Sequence, residues 1–246
     1  MKTEVIFESD THRWLYFGRD PEKIDKIIDT NQYMVVSKNK AILMDPGGIE
    51  LFAPMLAAVL KQIPIEQLTY LFASHQDPDI ISSLGLWDQT LPNAKLYSPW
   101  LWEGFIRHFG MDHIIYEPIA DEGGSVQLDS CELQFIPAHY MHSSGNVNVY
   151  DAQSKILMSG DIGAALEGAN ASIFVDDFGS HCEKMEFFHR RWMPSNAAKA
   201  DWIARIRDLE VNMLCPQHGR IFRGEQVGQF LDWFEQLKVG SAVKRS

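Results

Sequence analysis

Imidazole and carboxylate side chains alternate in the segment Ser74-His75-Gln76-Asp77-Pro78-Asp79. His75, Asp77 and Asp79 carry the nitrogen and oxygen donors that hold iron, manganese or zinc in proteins. A carboxylate-rich turn is also typical of a solvated loop or of a helix start, because Asp79 could cap a helix that begins at Ile80. This segment alone therefore leaves a metal site and a helix cap both open.

Three later segments offer ligands of the same kinds. His139 and His142 lie in PAHYMHSSGN, Asp161 ends SGD, and His218 lies in CPQHG. A lone histidine in any one of them is more often structural than a ligand. Together, the recurrence of imidazole and carboxylate indicates a metal site assembled from distant parts of the chain.

The candidate ligands follow apolar runs that predict strands. His75 follows TYLFAS, Asp161 follows KILMSG and His218 follows NMLCPQ, while Asp45 closes AILMD before Pro-Gly-Gly. Polar side chains just beyond hydrophobic strands converge at one edge of a sheet, on loops that a rigid scaffold positions. We therefore predict one site at a sheet edge.

Short apolar runs bounded by Gly, Pro, Asp or Asn predict the strands that carry these loops. The predicted strands are Tyr33–Ser37, Lys40–Met44, Leu68–Ala73, Lys95–Tyr97, Ser125–Leu128, Glu132–Pro137, Val147–Asp151, Lys155–Ser159 and Met213–Pro216. The segments between them predict helices over Ile49–Lys61, Ile80–Leu86, Trp100–Phe109, Cys182–Met193, Asn196–Leu209 and Gly224–Leu237. The mixture predicts an α/β or α+β protein, and we interpret residues 1–246 as a single domain.

The charge balance and the cysteines indicate which partners and which cellular compartment to expect. Lysine and arginine number 22 against 33 acidic residues, a net charge of −11, which argues against a nucleic-acid partner. The three cysteines form no C-x-x-C pair, which favours a reducing compartment. The N-terminus lacks the apolar core of a signal peptide, and no run approaches the ~18 apolar residues of a membrane-spanning helix. We expect a cytoplasmic protein with no membrane segment.

The order DPGG, SHQDPD, the His142 loop, SGD and CPQHG resembles the metallo-β-lactamase superfamily over residues 30–225, nearly the whole chain. The resemblance implies an αββα sandwich, with two mixed β-sheets flanked by helices. The superfamily's hydrolases carry H-x-H-x-D-H at the first cluster. This chain departs from that pattern twice, with Asp77 at the middle histidine and Ile80 at the last.

An acidic middle residue is the mark of the flavodiiron branch, although its members usually have glutamate where this chain has Asp77. The stretches WLYFGRDPEKIDKIIDTNQYMVVSKNKAILMDPGG and EVNMLCPQHGRIFRG also resemble that branch. Flavodiiron proteins add a C-terminal flavodoxin-like domain with FMN, which this sequence lacks. The chain is therefore similar to the stand-alone oxygen-binding di-iron proteins. That similarity implies a non-haem di-iron protein that binds, and could reduce, dioxygen in oxygen sensing or signalling.

The resemblance also implies the ligands. It assigns His75, Asp77 and His142 to one metal, Asp79 and His218 to the other, and Asp161 to a bridge between them. We choose His142 because its HSSGN matches the superfamily's H-x-x-G. His139 remains an alternative ligand, or a residue that supports the ligands or closes over the site. Asp45 is interpreted as a residue that orients the ligand turn.

The ligand set favours two iron ions, with zinc or manganese as alternatives. Three aspartates supply oxygen donors and three negative charges, which suit iron or manganese better than the histidine-rich sets typical of zinc. Ile80 cannot ligate, so the second metal should keep an open position for dioxygen or water.

The same residues are compatible with two other functions. One is a binuclear metal-dependent hydrolase, such as a phosphodiesterase, which would activate water. The other is a sensor that passes its metal or oxygen state to a partner. The resemblance further implies a homodimer and an electron-donor or signalling protein as partner. The stretch VDDFGSHCEKMEFFHRRWMPS, with His181 and His189, has helical spacing that favours a packed helix with a polar surface. A second interpretation of the same stretch is that it covers the metal pocket.

Overall fold

The fold is described by a computed structural model over residues 1–18, 28–168 and 171–243. Two mixed β-sheets lie face to face between two layers of helices, which confirms the αββα sandwich. The part of the GRDPEKIDKIIDT stretch at 19–27 lies outside the described residues.

The first sheet contains seven strands in chain order from one edge to the other. They are β1 (Lys2–Glu8), β2 (Arg13–Gly18), β3 (Gln32–Ser37), β4 (Lys40–Met44), β5 (Leu68–Phe72), β6 (Lys95–Pro99) and β7 (Ile115–Ile119). Strands β1 to β4 pair antiparallel, and β4 to β7 pair parallel. The carboxyl ends of β4, β5 and β6 therefore meet at one edge.

The second sheet contains six strands in the order β13-β12-β11-β10-β9-β8. They are β8 (Gly124–Leu128), β9 (Cys131–Pro137), β10 (Val147–Asp151), β11 (Ile156–Gly160), β12 (Met213–Pro216) and β13 (Phe222–Arg223). Only β11 and β12 pair parallel, so their carboxyl ends lie side by side.

The helices cover the outer faces of the two sheets. They are α1 (Phe52–Leu60), α2 (Pro78–Ile81), α3 (Leu84–Thr90), α4 (Glu103–Ile106), α5 (Phe178–Trp192), α6 (Asn196–Arg207) and α7 (Glu225–Gln236). Met55 of α1 and Trp87 of α3 pack on the first sheet, whereas Met185, Trp202 and Phe230 of α5 to α7 pack on the second. Among the described residues, no helix is both long and apolar enough to cross a bilayer.

All nine predicted strands are present, each within two residues of its predicted ends, but four further strands were missed. The missed strands are β1, β2, β7 and β13. The predicted helix at Ile80–Leu86 is two short helices, and the one at Trp100–Phe109 is a single α-helical turn between 3-10 turns. The other predicted helices lie within four residues of their predicted ends.

The space between the sheets is filled by apolar residues from both. Phe72 of β5 stacks on Phe135 of β9 with ring centroids 5.6 Å apart and planes 11° apart. Close packing of this kind fixes the position of one sheet relative to the other. The loops at their common edge are therefore held in place as well.

Candidate metal centre

The six candidate ligands lie on loops, and in the first turn of α2, at the edge where the carboxyl ends of β5, β11 and β12 meet. His75, Asp161 and His218 each follow one of those strands, and His142 lies in the loop between β9 and β10. The Val147 N–H donates to the Ser74 carbonyl across the sheets at 3.2 Å, and the Gln217 N–H donates to the Gly160 carbonyl at 2.7 Å. These backbone bonds tie the ligand loops to one another.

One carboxylate oxygen of Asp161 faces the first group of ligands. Its Oδ2 lies 2.8 Å from His142 Nε2 and 3.3 Å from His75 Nε2. Asp77 Oδ2 completes this group, at 3.2 Å from His142 Nε2 and 3.7 Å from His75 Nε2. The ligand atoms of these four residues all lie within 4.8 Å of one another, close enough to hold one ion.

The other oxygen of Asp161 faces the second group. Its Oδ1 lies 3.2 Å from His218 Nε2, and Asp79 Oδ2 lies 3.4 Å from the same nitrogen. Asp161 therefore stands between two ligand groups with one oxygen toward each. This is the arrangement of a carboxylate that bridges two ions.

Hydrogen bonds behind His75 fix which of its nitrogens faces the site. The Ser74 hydroxyl donates to Asp45 Oδ2 at 2.8 Å, so its oxygen accepts from His75 Nδ1 at 2.9 Å. The Ser74 N–H also donates to Asp45 Oδ1 at 2.8 Å. Asp45 is thus a buried support for the ligand turn, and burial raises the pKa of its carboxyl to about 6.

His218 is oriented in the same way by the backbone. Its Nδ1 lies 2.8 Å from the carbonyl oxygen of Asp29, which can only accept, so Nδ1 carries the proton. Both His75 and His218 therefore direct Nε2 into the site. Metal-ligating histidines characteristically donate their other ring N–H to such an acceptor.

The carboxylates hold protons on the histidines in the metal-free protein. Burial lowers the pKa of His142, but its hydrogen bonds to Asp161 and Asp77 and the charge of Asp161 outweigh it and raise the pKa to about 9. Burial also lowers the pKa of His75 and of His218, but the hydrogen bond to Asp161 and the charge of Asp161 outweigh burial and raise both pKa values. Burial raises the pKa of Asp161, yet its three histidine neighbours hold it well below its usual range.

The residues present fit a pair of metal ions. His75 Nε2 and Asp161 Oδ1 are buried atoms that lie near opposite charges but make no hydrogen bond within the described structure. Buried polar atoms rarely stay without partners, so the geometry leaves these two for ligation. Three imidazoles and three carboxylates suit iron, manganese or zinc.

The helix-cap interpretation of the first cluster is wrong. Helix α2 begins at Pro78, so Asp77 is the residue at its N-cap and Asp79 lies within its first turn. The Asp77 carboxylate makes no capping hydrogen bond, and both side chains are partly exposed beside the histidines.

Ile80 is fully buried in the apolar cluster that also contains residues of α1 and α3. Its hydrocarbon side chain offers no donor to a metal. A histidine substituted at position 80 would have its side chain begin inside that apolar cluster.

His139 lies apart from the centre. Its ring Nε2 contacts the Asp121 carbonyl oxygen at 2.8 Å, and it belongs to neither group of ligand atoms. The neighbouring Ser143 hydroxyl instead joins the two ligand loops, because it donates to Gln76 Oε1 at 2.6 Å.

Helix α5 lies against the site through two of its residues. The Phe188 ring contacts His142 and His218, and His189 accepts a hydrogen bond from Gly163, two residues after Asp161. Helical spacing predicted a packed helix here and left open that the stretch covers the metal pocket, but it did not indicate which residues make the contact.

A second cluster of possible ligands joins the two sheets elsewhere. His12 Nε2 lies 2.6 Å from Asp151 Oδ2, and Cys131 lies beside them. The Asp151 carboxylate also accepts from Trp14 Nε1 at 2.8 Å and from the Ser154 hydroxyl at 2.5 Å. Protein donors thus satisfy this carboxylate, so we interpret the cluster as a structural hydrogen-bond network.

A sequence profile described as ODP family beta lactamase matches residues 28–219. Among solved structures, the chain is similar to the chemotaxis sensor ODP, described as a peroxy diiron species. The identity is 36% over 98% of this chain and 97% of that one, with a TM-score of 0.87. The apo state of that sensor from T. denticola gives 36% identity over 98% and 96%, with a TM-score of 0.86.

More distant relatives share the fold. The flavodiiron protein from Giardia intestinalis is 16% identical over 96% of this chain and 59% of its own, with a TM-score of 0.85. An uncharacterized protein of Methanocaldococcus jannaschii is 22% identical over 88% of this chain and 54% of its own length. The chain thus spans about half the length of this curated relative.

Proposed function

The chain belongs to the ODP beta-lactamase family, and from that premise we propose that it holds two iron ions and binds dioxygen in oxygen sensing. The observation that carries the proposal is the position of Asp161, with one oxygen toward each of two ligand groups. The chemotaxis sensor ODP, at 36% identity over nearly the whole of both chains, is itself described as a diiron species.

We propose that His75, Asp77 and His142 hold one ion, that Asp79 and His218 hold the other, and that Asp161 bridges them. The first group has three ligands of its own and the second has two, so the second ion keeps more open positions. An iron pair supplies redox-active ions that can take up dioxygen. Three aspartates offset three of the four positive charges of a ferrous pair.

Two of the proposed histidine ligands are already oriented toward the site in the metal-free protein. Ser74 and the Asp29 carbonyl fix two imidazoles with Nε2 inward, so little reorientation accompanies ligation. Among the six ligands, Asp77 and Asp79 have the most exposed side chains, at 31% and 27%, and His142 follows at 17%. A small ligand such as dioxygen would enter past these side chains.

Metal analysis followed by exposure to oxygen tests this function. Protein purified without added metal should contain two iron ions per chain. After anaerobic reduction, oxygen should produce a charge-transfer band in the near-ultraviolet or visible. The variant Asp161→Asn should lose both ions and the band, whereas Asp201→Asn, at an exposed position on α6, should keep them.

The competing hydrolase predicts a different result from the same protein. Stoichiometric zinc, no oxygen-dependent band and turnover of a phosphodiester would overturn the proposal.

We further propose that the protein is a single-domain homodimer that works in the cytoplasm. The homodimer is what the resemblance to the flavodiiron branch implies. The free thiols of Cys131, Cys182 and Cys215 support a reducing compartment. We also propose that its partner is a signalling or electron-donor protein.

A further inference from the structure

Phe188 of α5 contacts one histidine from each half of the metal centre. Its ring centroid lies 6.4 Å from that of His142 and 6.2 Å from that of His218. The Phe188 side chain is buried, and on its other side it stacks on Trp192 at 5.1 Å with planes 8° apart. A single rigid ring therefore touches ligands that belong to different ions.

The next residue holds the turn that carries the bridging carboxylate. His189 is fully buried, and its Nε2 accepts a hydrogen bond from the Gly163 N–H at 3.0 Å. Its Nδ1 lies 2.9 Å from the Met185 carbonyl oxygen, which fixes the proton on Nδ1 and leaves Nε2 as the acceptor. Gly163 has a φ of 96°, so the turn after Asp161 depends on a conformation that glycine tolerates best.

Helix α5 is itself well anchored. Asp177 caps its N-terminus by accepting from the Ser180 N–H at 2.8 Å, and Met185 packs in the layer outside the second sheet. The Arg190 carbonyl near its other end accepts from the Ser241 N–H at 2.9 Å. A helix fixed in this way can hold the residues that contact it in register.

We propose that Phe188 and His189 are positioning residues that set the two halves of the metal centre at the separation a pair of ions requires. This inference rests on the proposed metal pair. The second ion should depend on them most, because Asp79 and His218 are the only ligands besides Asp161 that we assign to it among the described residues. The first ion, with three ligands of its own, should tolerate their loss.

Cobalt(II) titration of the metal-free protein tests the inference without dioxygen or turnover. The wild-type protein should bind two ions per chain. His189→Leu, which cannot accept from Gly163, should bind the second ion roughly 10–100-fold more weakly, the usual loss when a residue that supports a ligand is removed. Phe188→Leu should show the same selective loss, and His189→Gln, which retains an acceptor, should recover most of the affinity.

A merely structural role would weaken folding rather than the second ion. Phe17→Leu is the matched control, since Phe17 is also fully buried but lies in the layer outside the first sheet. Urea unfolding of each metal-free variant separates stability from metal affinity. Second-ion affinity in His189→Leu and Phe188→Leu equal to that in Phe17→Leu would overturn the inference. A wild-type protein that binds fewer than two cobalt ions would overturn the metal pair and this inference with it.

Discussion

At the scale of single residues, Asp161 joins the two halves of the centre. It is almost fully buried, and each of its carboxylate oxygens faces a different histidine group. Burying a carboxylate is costly unless opposite charge compensates it. In the metal-free protein the compensation comes from protonated histidines, and in the proposed holoprotein it comes from the ions.

Asp77 distinguishes this site from that of the hydrolases, so Asp77→His should shift the metal content from iron toward zinc. The change removes one anionic oxygen donor and adds an imidazole, which brings the set closer to the preference of zinc. Because Ile80 is buried in the apolar layer, the single substitution is cleaner than a double change that also alters Ile80. Elemental analysis after expression in iron- and zinc-supplemented media measures the ratio.

Asp201→His places the same substitution on the exposed face of α6 and serves as the control. An iron-to-zinc ratio unchanged in Asp77→His would mean that this position does not decide metal identity.

The metal-free protein should become less stable between about pH 6.5 and 9, whereas the metal-loaded protein should not. Opposing carboxylates raise the pKa of folded His142 to about 9, and the unfolded value is near 6.5. A raised histidine pKa stabilises the fold fully below the unfolded value, and this stability is lost as pH rises through the folded one. Urea unfolding at a series of pH values measures the slope.

His142→Gln should reduce that slope, with the remainder coming from His75 and His218, whose pKa values are also raised. His139→Gln, in the same loop, should leave the slope unchanged. A slope in His142→Gln equal to that of the wild-type protein would show that His142 does not contribute to the pH dependence.

The candidate ligands could be chosen from the sequence because their types and their places after apolar strands are local features. The contacts that orient these ligands could not be predicted from the sequence. The Asp29 carbonyl is 189 residues from His218 along the chain, and no pattern marks it as an acceptor. For the stretch that contains Phe188 and His189, the sequence offered a packed helix or a cover over the metal pocket, but it did not indicate that these two residues make the contacts.

At the scale of secondary-structure elements, the turn between β1 and β2 connects the two sheets through Asp151. The Asp151 carboxylate accepts from His12 and Trp14 of that region, and Thr11 donates to Gln153 Oε1 at 3.1 Å. This network lies away from the ligand edge and fastens the edge strands of the first sheet to β10.

Asp151→Ala should lower the free energy of unfolding by about 3–5 kcal/mol, because it leaves a buried histidine and a buried indole N–H without their acceptor. It should leave two metal ions per chain. Chemical denaturation and elemental analysis measure both quantities. Asp201→Ala, which removes an exposed pair with Arg205, should cost at most about 1 kcal/mol. Loss of a metal ion in Asp151→Ala would contradict the structural role of this cluster.

The strands that sequence analysis missed are mostly those for which the apolar signal is weak. Strand β1 is an edge strand with many exposed residues, β7 is an edge strand that contains Pro118, and β13 has two residues. Proline and exposure are tolerated at sheet edges, where they obscure the alternation that predicts a strand. Strand β2 is different, because five of its six residues are buried and it is no shorter than the predicted strands, so its sequence did carry an apolar signal.

At the scale of the whole molecule, the proposed homodimer predicts a particle of twice the chain mass. This prediction rests on the resemblance to the flavodiiron branch. Light scattering across a range of concentrations measures the mass. A monomer at every concentration would remove this part of the proposal.

The most direct test of the metal pair is a crystal structure with anomalous diffraction measured at the iron and zinc edges. Two iron peaks should flank Asp161, one against His75, Asp77 and His142, and the other against Asp79 and His218. A single peak, two zinc peaks, or a metal between His12, Cys131 and Asp151 instead would contradict the account.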